Sequence, residues 1–272
     1  MEFLKKCLSL ILFFVLSVNL YAAGHTEITW YGHAAFKIKT PTGKVMVIDP
    51  WLTNPANQAG KDNLSKLNKV DLILITHGHA DHVGDSVEIA KKTAARLVTT
   101  YDLGAALVKY GGYPEKQVGY DTQGNTGGEI SLLDDEVKIA FIPAVHSSTF
   151  TEPHGIKHIR SSGNAGGFLI SIKNGPVIYH TGDTDLFSDM ALIPRFRKVD
   201  IMLAAIGDHF TMGPQRAAEA VKLVQPDIVI PMHFGTYPIL RGTPKALEEA
   251  IKIKNINVEI KVMKIGETLN HK

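Results

Sequence analysis

With 272 residues, 44% of them hydrophobic, the chain is long enough to bury one large core. Its 29 basic and 27 acidic side chains nearly cancel to a formal charge of +2, and no clustered basic excess points to a nucleic-acid partner. A single cysteine, Cys7, excludes an internal disulfide framework.

The chain opens with the pattern of an export signal over residues 1–22. Lys5 and Lys6 precede an apolar run from Leu8 to Leu16, broken only by Ser9, and the small residue Ala22 suits a cleavage point. The run is too short and too quickly polar for a comfortable membrane span. The expectation is a mature domain over residues 23–272, exported to a periplasm or secreted, with no stable membrane association; the alternative is an uncleaved N-terminal anchor. Cleavage would remove Cys7 and with it any thiolate ligand or nucleophile.

Short strands are predicted over residues 27–31, 36–40 and 45–49, with Pro41-Thr42-Gly43 as a hairpin turn. The continuous apolar run 72–75 reads as a strand buried on both faces. A helix follows over 84–95, then a strand at 96–100 and a helix over 103–110, capped by Asp102 and stopped by Gly111-Gly112. Further strands are predicted at 129–132, 137–143 and 167–173, the last entering a hairpin through Asn174-Gly175 to 176–180. A strand at 201–205, a helix at 214–224, a strand at 228–231 and a helix from Thr243-Pro244 to Lys252 complete the pattern. Strands that cluster and then alternate with helices fit a mixed α/β (α+β) domain, two packed sheets with helices outside. Residues 123–128 and 152–166 read as loops, the latter carrying His154 and His158.

The chemistry concentrates in Thr76-His77-Gly78-His79-Ala80-Asp81-His82, directly after the buried strand 72–75. Imidazole and carboxylate donors without thiolate suit zinc, iron or manganese. Histidines two residues apart in an extended segment can point the same way, and Asp81 and His82 are offset enough to serve a second ion. A ligand-type residue recurs just past three later apolar runs: His146, Asp183 and His233. Singly, each would pass as a satisfied polar group at a strand end; together with the first segment they describe one cleft.

These residues resemble the hydrolases of the metallo-β-lactamase fold, and most closely the metal-dependent hydrolases similar to L-ascorbate-6-phosphate lactonase. The likeness extends through Trp30-Tyr31-Gly32-His33-Ala34-Ala35-Phe36, Asp49-Pro50-Trp51, His146-Ser147-Ser148, Gly163-Asn164, Gly167-Phe168 and Phe210-Thr211-Met212-Gly213-Pro214. It implies a four-layer αββα sandwich. It also implies two divalent metal ions, one on His77, His79 and His146, the other on Asp81, His82 and His233, with Asp183 bridging them. Aspartate at that last position resembles glyoxalase II-like and phosphodiesterase-like members, whereas β-lactamases commonly carry cysteine or serine, so β-lactam hydrolysis is disfavoured.

Two metals sharing a carboxylate can share a hydroxide that attacks an ester, lactone or phosphodiester, with Asp81 relaying a proton. The implied partner is a small-molecule substrate. The alternative is a metal-dependent sensor or binding protein without turnover, against which the complete ligand set argues. His33 is expected either to line the cleft or to make a structural hydrogen bond. Asp49 is expected either to orient a ligand histidine or to cap a turn. His180 and His209 are expected to contact substrate or steady the site, and Ser147 and Ser148 to act as loop hydrogen-bonders rather than nucleophiles.

Overall fold

The computed structural model of the chain describes residues 24–152 and 158–272, so the expected export segment and His154 lie outside the described residues. The strands, in chain order, are β1 (Thr26–Trp30), β2 (Phe36–Lys39), β3 (Val45–Ile48), β4 (Leu72–Leu74), β5 (Arg96–Thr100), β6 (Gln123–Gly124), β7 (Glu129–Leu132) and β8 (Val137–Pro143). They continue with β9 (Thr149–Thr151), β10 (Ile159–Ser161), β11 (Gly166–Ile172), β12 (Val177–His180), β13 (Ile201–Ala205), β14 (Ile228–Met232), β15 (Glu259–Ile260) and β16 (Thr268–His271). One seven-stranded sheet has the order β16-β1-β2-β3-β4-β5-β6, the other β15-β14-β13-β12-β11-β8-β7, and β9 and β10 form a separate hairpin.

The period-two alternation of side chains builds four layers. In β3, Met46 and Ile48 enter the core between the sheets, while Val45 and Val47 face outward under helices. In β13, Ile201, Leu203 and Ala205 face inward, and Met202 and Ala204 lie under the helices of the other side. Both faces of these strands are covered, which is why their sequences are continuous apolar runs. Leu64, Ile89, Leu103 and Leu107 cover one outer face; Ala217, Val221, Leu247 and Ile251 cover the other. The fold is the αββα sandwich of the resemblance.

The sheets position the site through their parallel halves. β3, β4 and β5 run parallel in one sheet, and β12, β13 and β14 in the other. Their C-terminal ends release Asp49, His77, Asp183 and His233 at the same edge of the sandwich.

Several local expectations change. The predicted helix 84–95 is shorter: Gly84, at φ +44°, separates a single turn, Ala80–Val83, from a helix over Ser86–Thr93. Asp102 is not a cap, because the helix Tyr101–Gly111 begins at Tyr101 with Thr100 in the capping place; Asp102 lies in its first turn. The loop 152–166 contains β10, which pairs with β9, and the loop 123–128 contains the short β6. A helix at Gly60–Lys66 and the edge strands β15 and β16 were not predicted. No helix among the described residues is long and apolar enough to cross a membrane.

Phe36 is wholly buried in the core between the sheets. Phe36→Ala should lower the unfolding free energy by about 3–5 kcal/mol in urea titrations; a loss under about 1 kcal/mol would contradict close packing across this position.

Candidate metal centre

Three residues that carry or orient ligand groups leave their strands with left-handed backbone: His33 at φ 51°, Asp49 at φ 44° and His233 at φ 59°. Such residues are costly unless their surroundings hold them, and here each is held. The His33 carbonyl accepts from Trp30 Nε1 at 3.0 Å and from the His233 backbone N–H at 2.9 Å, tying the two turns together. Gly182, at φ +60°, makes the turn that presents Asp183; an added Cβ would strike the Gly166 carbonyl.

Seven predicted ligand residues come together. His77 Nε2 and His79 Nδ1 are 2.9 Å apart, and His146 Nε2 is 3.3 Å from the same His79 nitrogen. On the other side, Asp81 Oδ2 lies 3.8 Å from His233 Nε2 and 4.0 Å from His82 Nε2. Asp183 Oδ2 stands between the two groups. It is 4.0 Å from His77 Nε2, 3.7 Å from His146 Nε2, 3.3 Å from His82 Nε2 and 3.0 Å from His233 Nε2. Despite this crowding, His82 Nε2, His233 Nε2 and Asp183 Oδ1 are buried without a hydrogen bond of acceptable geometry. Buried polar atoms are seldom left so, and converging lone pairs on a carboxylate are the arrangement a cation satisfies. The His/Asp cluster is able to bind metal.

The hydrogen bonds around the cluster fix which nitrogens carry protons. Asp49 is wholly buried and accepts from the Thr76 backbone N–H at 2.8 Å, the Thr76 hydroxyl at 2.7 Å and His82 Nδ1 at 2.7 Å. His82 Nε2 is thereby turned into the cleft. The Thr76 hydroxyl, having given its proton to Asp49, accepts at 3.0 Å from His77 Nδ1 and leaves His77 Nε2 with its lone pair. Asp49 thus fixes the ring of His82 directly and that of His77 through Thr76. His33 bonds Asp81 Oδ2 through Nε2 at 3.0 Å and Thr236 Oγ1 through Nδ1 at 2.8 Å. His180 is satisfied by backbone alone: Nε2 donates to the Ala34 carbonyl at 3.1 Å, and Nδ1 accepts the Gly182 N–H at 3.1 Å. It steadies the turn before Asp183. His209 is exposed, packs against Phe210 and is not among the clustered residues. Ser147 Oγ comes within 3.4 Å of His79 Nε2, and Ser148 Oγ accepts the Gly78 N–H at 3.2 Å.

Electrostatics follow burial first. Burial lowers the His77, His79 and His146 imidazoles, so they stay neutral and free to donate a lone pair. Burial, reinforced by His233, pushes His33 down to about 4. Burial would lower His82 too, but Asp183, Asp49 and Asp81 outweigh it and raise that imidazole well above its ordinary value. Burial would raise Asp81 and Asp183, yet neighbouring histidines hold both below the usual carboxylate range.

Thr236 and Tyr237 contact His33 without any sequence signal for it: they follow His233 closely in sequence, and only the folded turn brings them to His33. Thr76 was visible only as the first residue of the ligand segment.

The Beta-lactamase superfamily domain matches residues 45–234, from β3 to just past His233. A UPF0173 metal-dependent hydrolase of Thermodesulfovibrio yellowstonii is 61% identical over 266 residues, covering 98% of this chain and 99% of the relative. One from Anaeromyxobacter dehalogenans is 53% identical, covering 90% and 87%. Among solved structures, Igni18, a metallo hydrolase of the archaeon Ignicoccus hospitalis, superposes with a TM-score of 0.78 at 33% identity, covering 91% of this chain and 99% of that one. With this fold and this cluster, the chain belongs to the β-lactamase superfamily, as one of its UPF0173 metal-dependent hydrolases.

Proposed function

We propose that the protein hydrolyses an ester, lactone or phosphodiester bond with two divalent cations held side by side. Zinc suits the donor set best, with manganese or iron compatible. His77 Nε2, His79 Nδ1 and His146 Nε2 would hold one ion; Asp81 Oδ2, His82 Nε2 and His233 Nε2 the other. The carrying observation is the place of Asp183 Oδ2, within 4.0 Å of imidazole nitrogens belonging to both groups. When bound, the ions supply Lewis acidity, which lowers the pKa of water and polarises the bond under attack.

The chain's residues do the remaining work. Asp183 sets a buried negative charge between the groups and so keeps two like charges close. Asp49 holds a proton on His82 Nδ1, and Thr76 holds that on His77 Nδ1, so His77 presents a lone pair on Nε2, and His82 would do so on giving up its second proton to a bound cation. Asp81 is the most open of the carboxylates in the cluster at 30% exposure, which places it to receive and pass on the proton released in hydrolysis. His33, bonded to Asp81 Oδ2 and braced by Thr236, fixes the direction in which that carboxylate points. His77, His82, His233 and Asp183 are buried, which excludes bulk water from the inner half of the site. Ser148 is engaged with Gly78 and Ser162 rather than free to act as a nucleophile.

A substrate panel tests the reading: p-nitrophenyl acetate, a γ-lactone, bis-p-nitrophenyl phosphate and a chromogenic β-lactam on the metal-loaded protein. Turnover is expected on at least one of the first three; turnover of the β-lactam alone would overturn it. Asp183→Asn keeps the shape and removes the charge. It should lower kcat/KM by more than about 100-fold with an unchanged circular dichroism spectrum; full activity would mean that Asp183 does not join the two groups. Asp49→Asn, which touches no substrate, should weaken metal affinity about 10–100-fold in chelator competition. Unaltered affinity would show that Asp49 does not orient His82.

A further inference from the structure

We propose that Trp51 and Tyr237 form a substrate subsite that takes a flat apolar group, an aryl ring, on one side of the bond hydrolysed. The inference rests on the hydrolase reading above and names the class of group that reading leaves open.

The cluster can be reached from only part of its circumference. His77, His82, Asp183 and His233 are buried, whereas Asp81, His79 and His146 retain exposure. Substrate must therefore enter past these three, and the two aromatic rings stand beside the Asp81 side of that entrance. Trp51 meets the edge of His33 at 5.4 Å between ring centres, and Tyr237 meets it at 6.4 Å. The two rings lie 6.1 Å apart and are tilted by 31° to each other, so they form one aromatic pair beside His33. His33 in turn bonds Asp81. Tyr237 remains 41% exposed and Trp51 is half-buried, so both present aromatic surface to solvent. Burial and then the Asp81 charge raise the Tyr237 phenol, which is consistent with its place beside that carboxylate.

The backbone that carries Trp51 is held in place. The Trp51 carbonyl accepts from Asn54 Nδ2 at 2.8 Å. An added Cβ at Gly84 would come within 2.6 Å of Trp51 Cα, so the turn that follows His82 packs against the Trp51 backbone. A held aromatic surface loses little freedom when it binds, which is how such side chains contribute affinity.

The occupant's chemistry follows from what surrounds the rings. The polar groups beneath them are already committed: Thr236 Oγ1 to His33 Nδ1, Asn54 Nδ2 to the Tyr31 and Trp51 carbonyls, and Asn54 Oδ1 to the Ala56 N–H. Among the described residues no lysine or arginine lies over either ring. An aryl ring can stack on these rings or meet them edge-on.

The test compares 2-naphthylmethyl acetate with ethyl acetate on metal-loaded wild type, Trp51→Phe, Trp51→Ala and Tyr237→Ala. Each substrate is compared with itself across the variants, so intrinsic reactivity cancels. Metal content and circular dichroism are recorded for each variant. The two alanine variants should cost the naphthyl ester at least about fivefold more in kcat/KM than the ethyl ester, and Trp51→Phe should retain most of the preference. Calorimetry with 2-naphthylmethanol should show the same order of affinities without any turnover. Equal losses on both esters would mean that the rings only support His33 and would overturn the subsite, as would no loss on either. If no ester is turned over but naphthylmethanol binding still depends on the aromatic pair, the subsite stands and esters are removed from the substrate classes. If ethyl acetate is hydrolysed and naphthylmethanol binding ignores the pair, hydrolysis stands and the subsite falls.

Discussion

A buried carboxylate in the company of four imidazoles is the constraint on which the rest of the site depends. Asp183 is almost fully buried, and taking a carboxylate out of water is affordable only where positive charge and hydrogen bonds meet it. The histidines around it cannot all supply that charge. Burial keeps His77, His79 and His146 neutral, and only His82 is driven firmly toward its charged form. Asp49, Asp81 and Asp183 thus face a single imidazolium, that of His82. The cluster is short of positive charge and rich in lone pairs, which is the electrostatic description of a cation site.

The surrounding fold can be understood as the means of holding that arrangement. Parallel strands in two sheets end at one edge, and the turns that leave them adopt backbone conformations that ordinary strands avoid. Asp49 serves as the shared acceptor: one side chain fixes the start of the ligand segment through Thr76 and the ring of His82 directly. His180 does the equivalent for the Asp183 turn from inside the second sheet, through backbone groups alone. The sheet-to-sheet core places the two halves, and these few polar contacts set the ligand directions.

Much of this was legible in the sequence because it was local. His77, His79, Asp81 and His82 announce themselves by spacing, and His146, Asp183 and His233 by following apolar runs. The four layers follow from strands too uniformly apolar to face water on either side. What escaped was either non-local or weakly patterned. Thr236 and Tyr237 reach His33 across 203 and 204 positions of chain, and no spacing encodes that. β16 was missed because Thr-Leu-Asn-His at a half-exposed edge offers little apolar pattern. The helix starts at Ser86 rather than at Gly84 because Gly84 adopts a positive φ, which the sequence does not announce. For His33 and Asp49 the sequence allows two roles each; in the fold His33 bonds Asp81 and Thr236, and Asp49 bonds Thr76 and His82.

The most direct test of the central claim is a crystal structure of the metal-loaded protein, with anomalous differences collected at the metal edge. Two peaks roughly 3.5–4 Å apart are predicted. One should lie among His77, His79 and His146, the other among Asp81, His82 and His233, with Asp183 touching both. A single peak, or an Asp183 carboxylate turned away from either ion, would contradict the account.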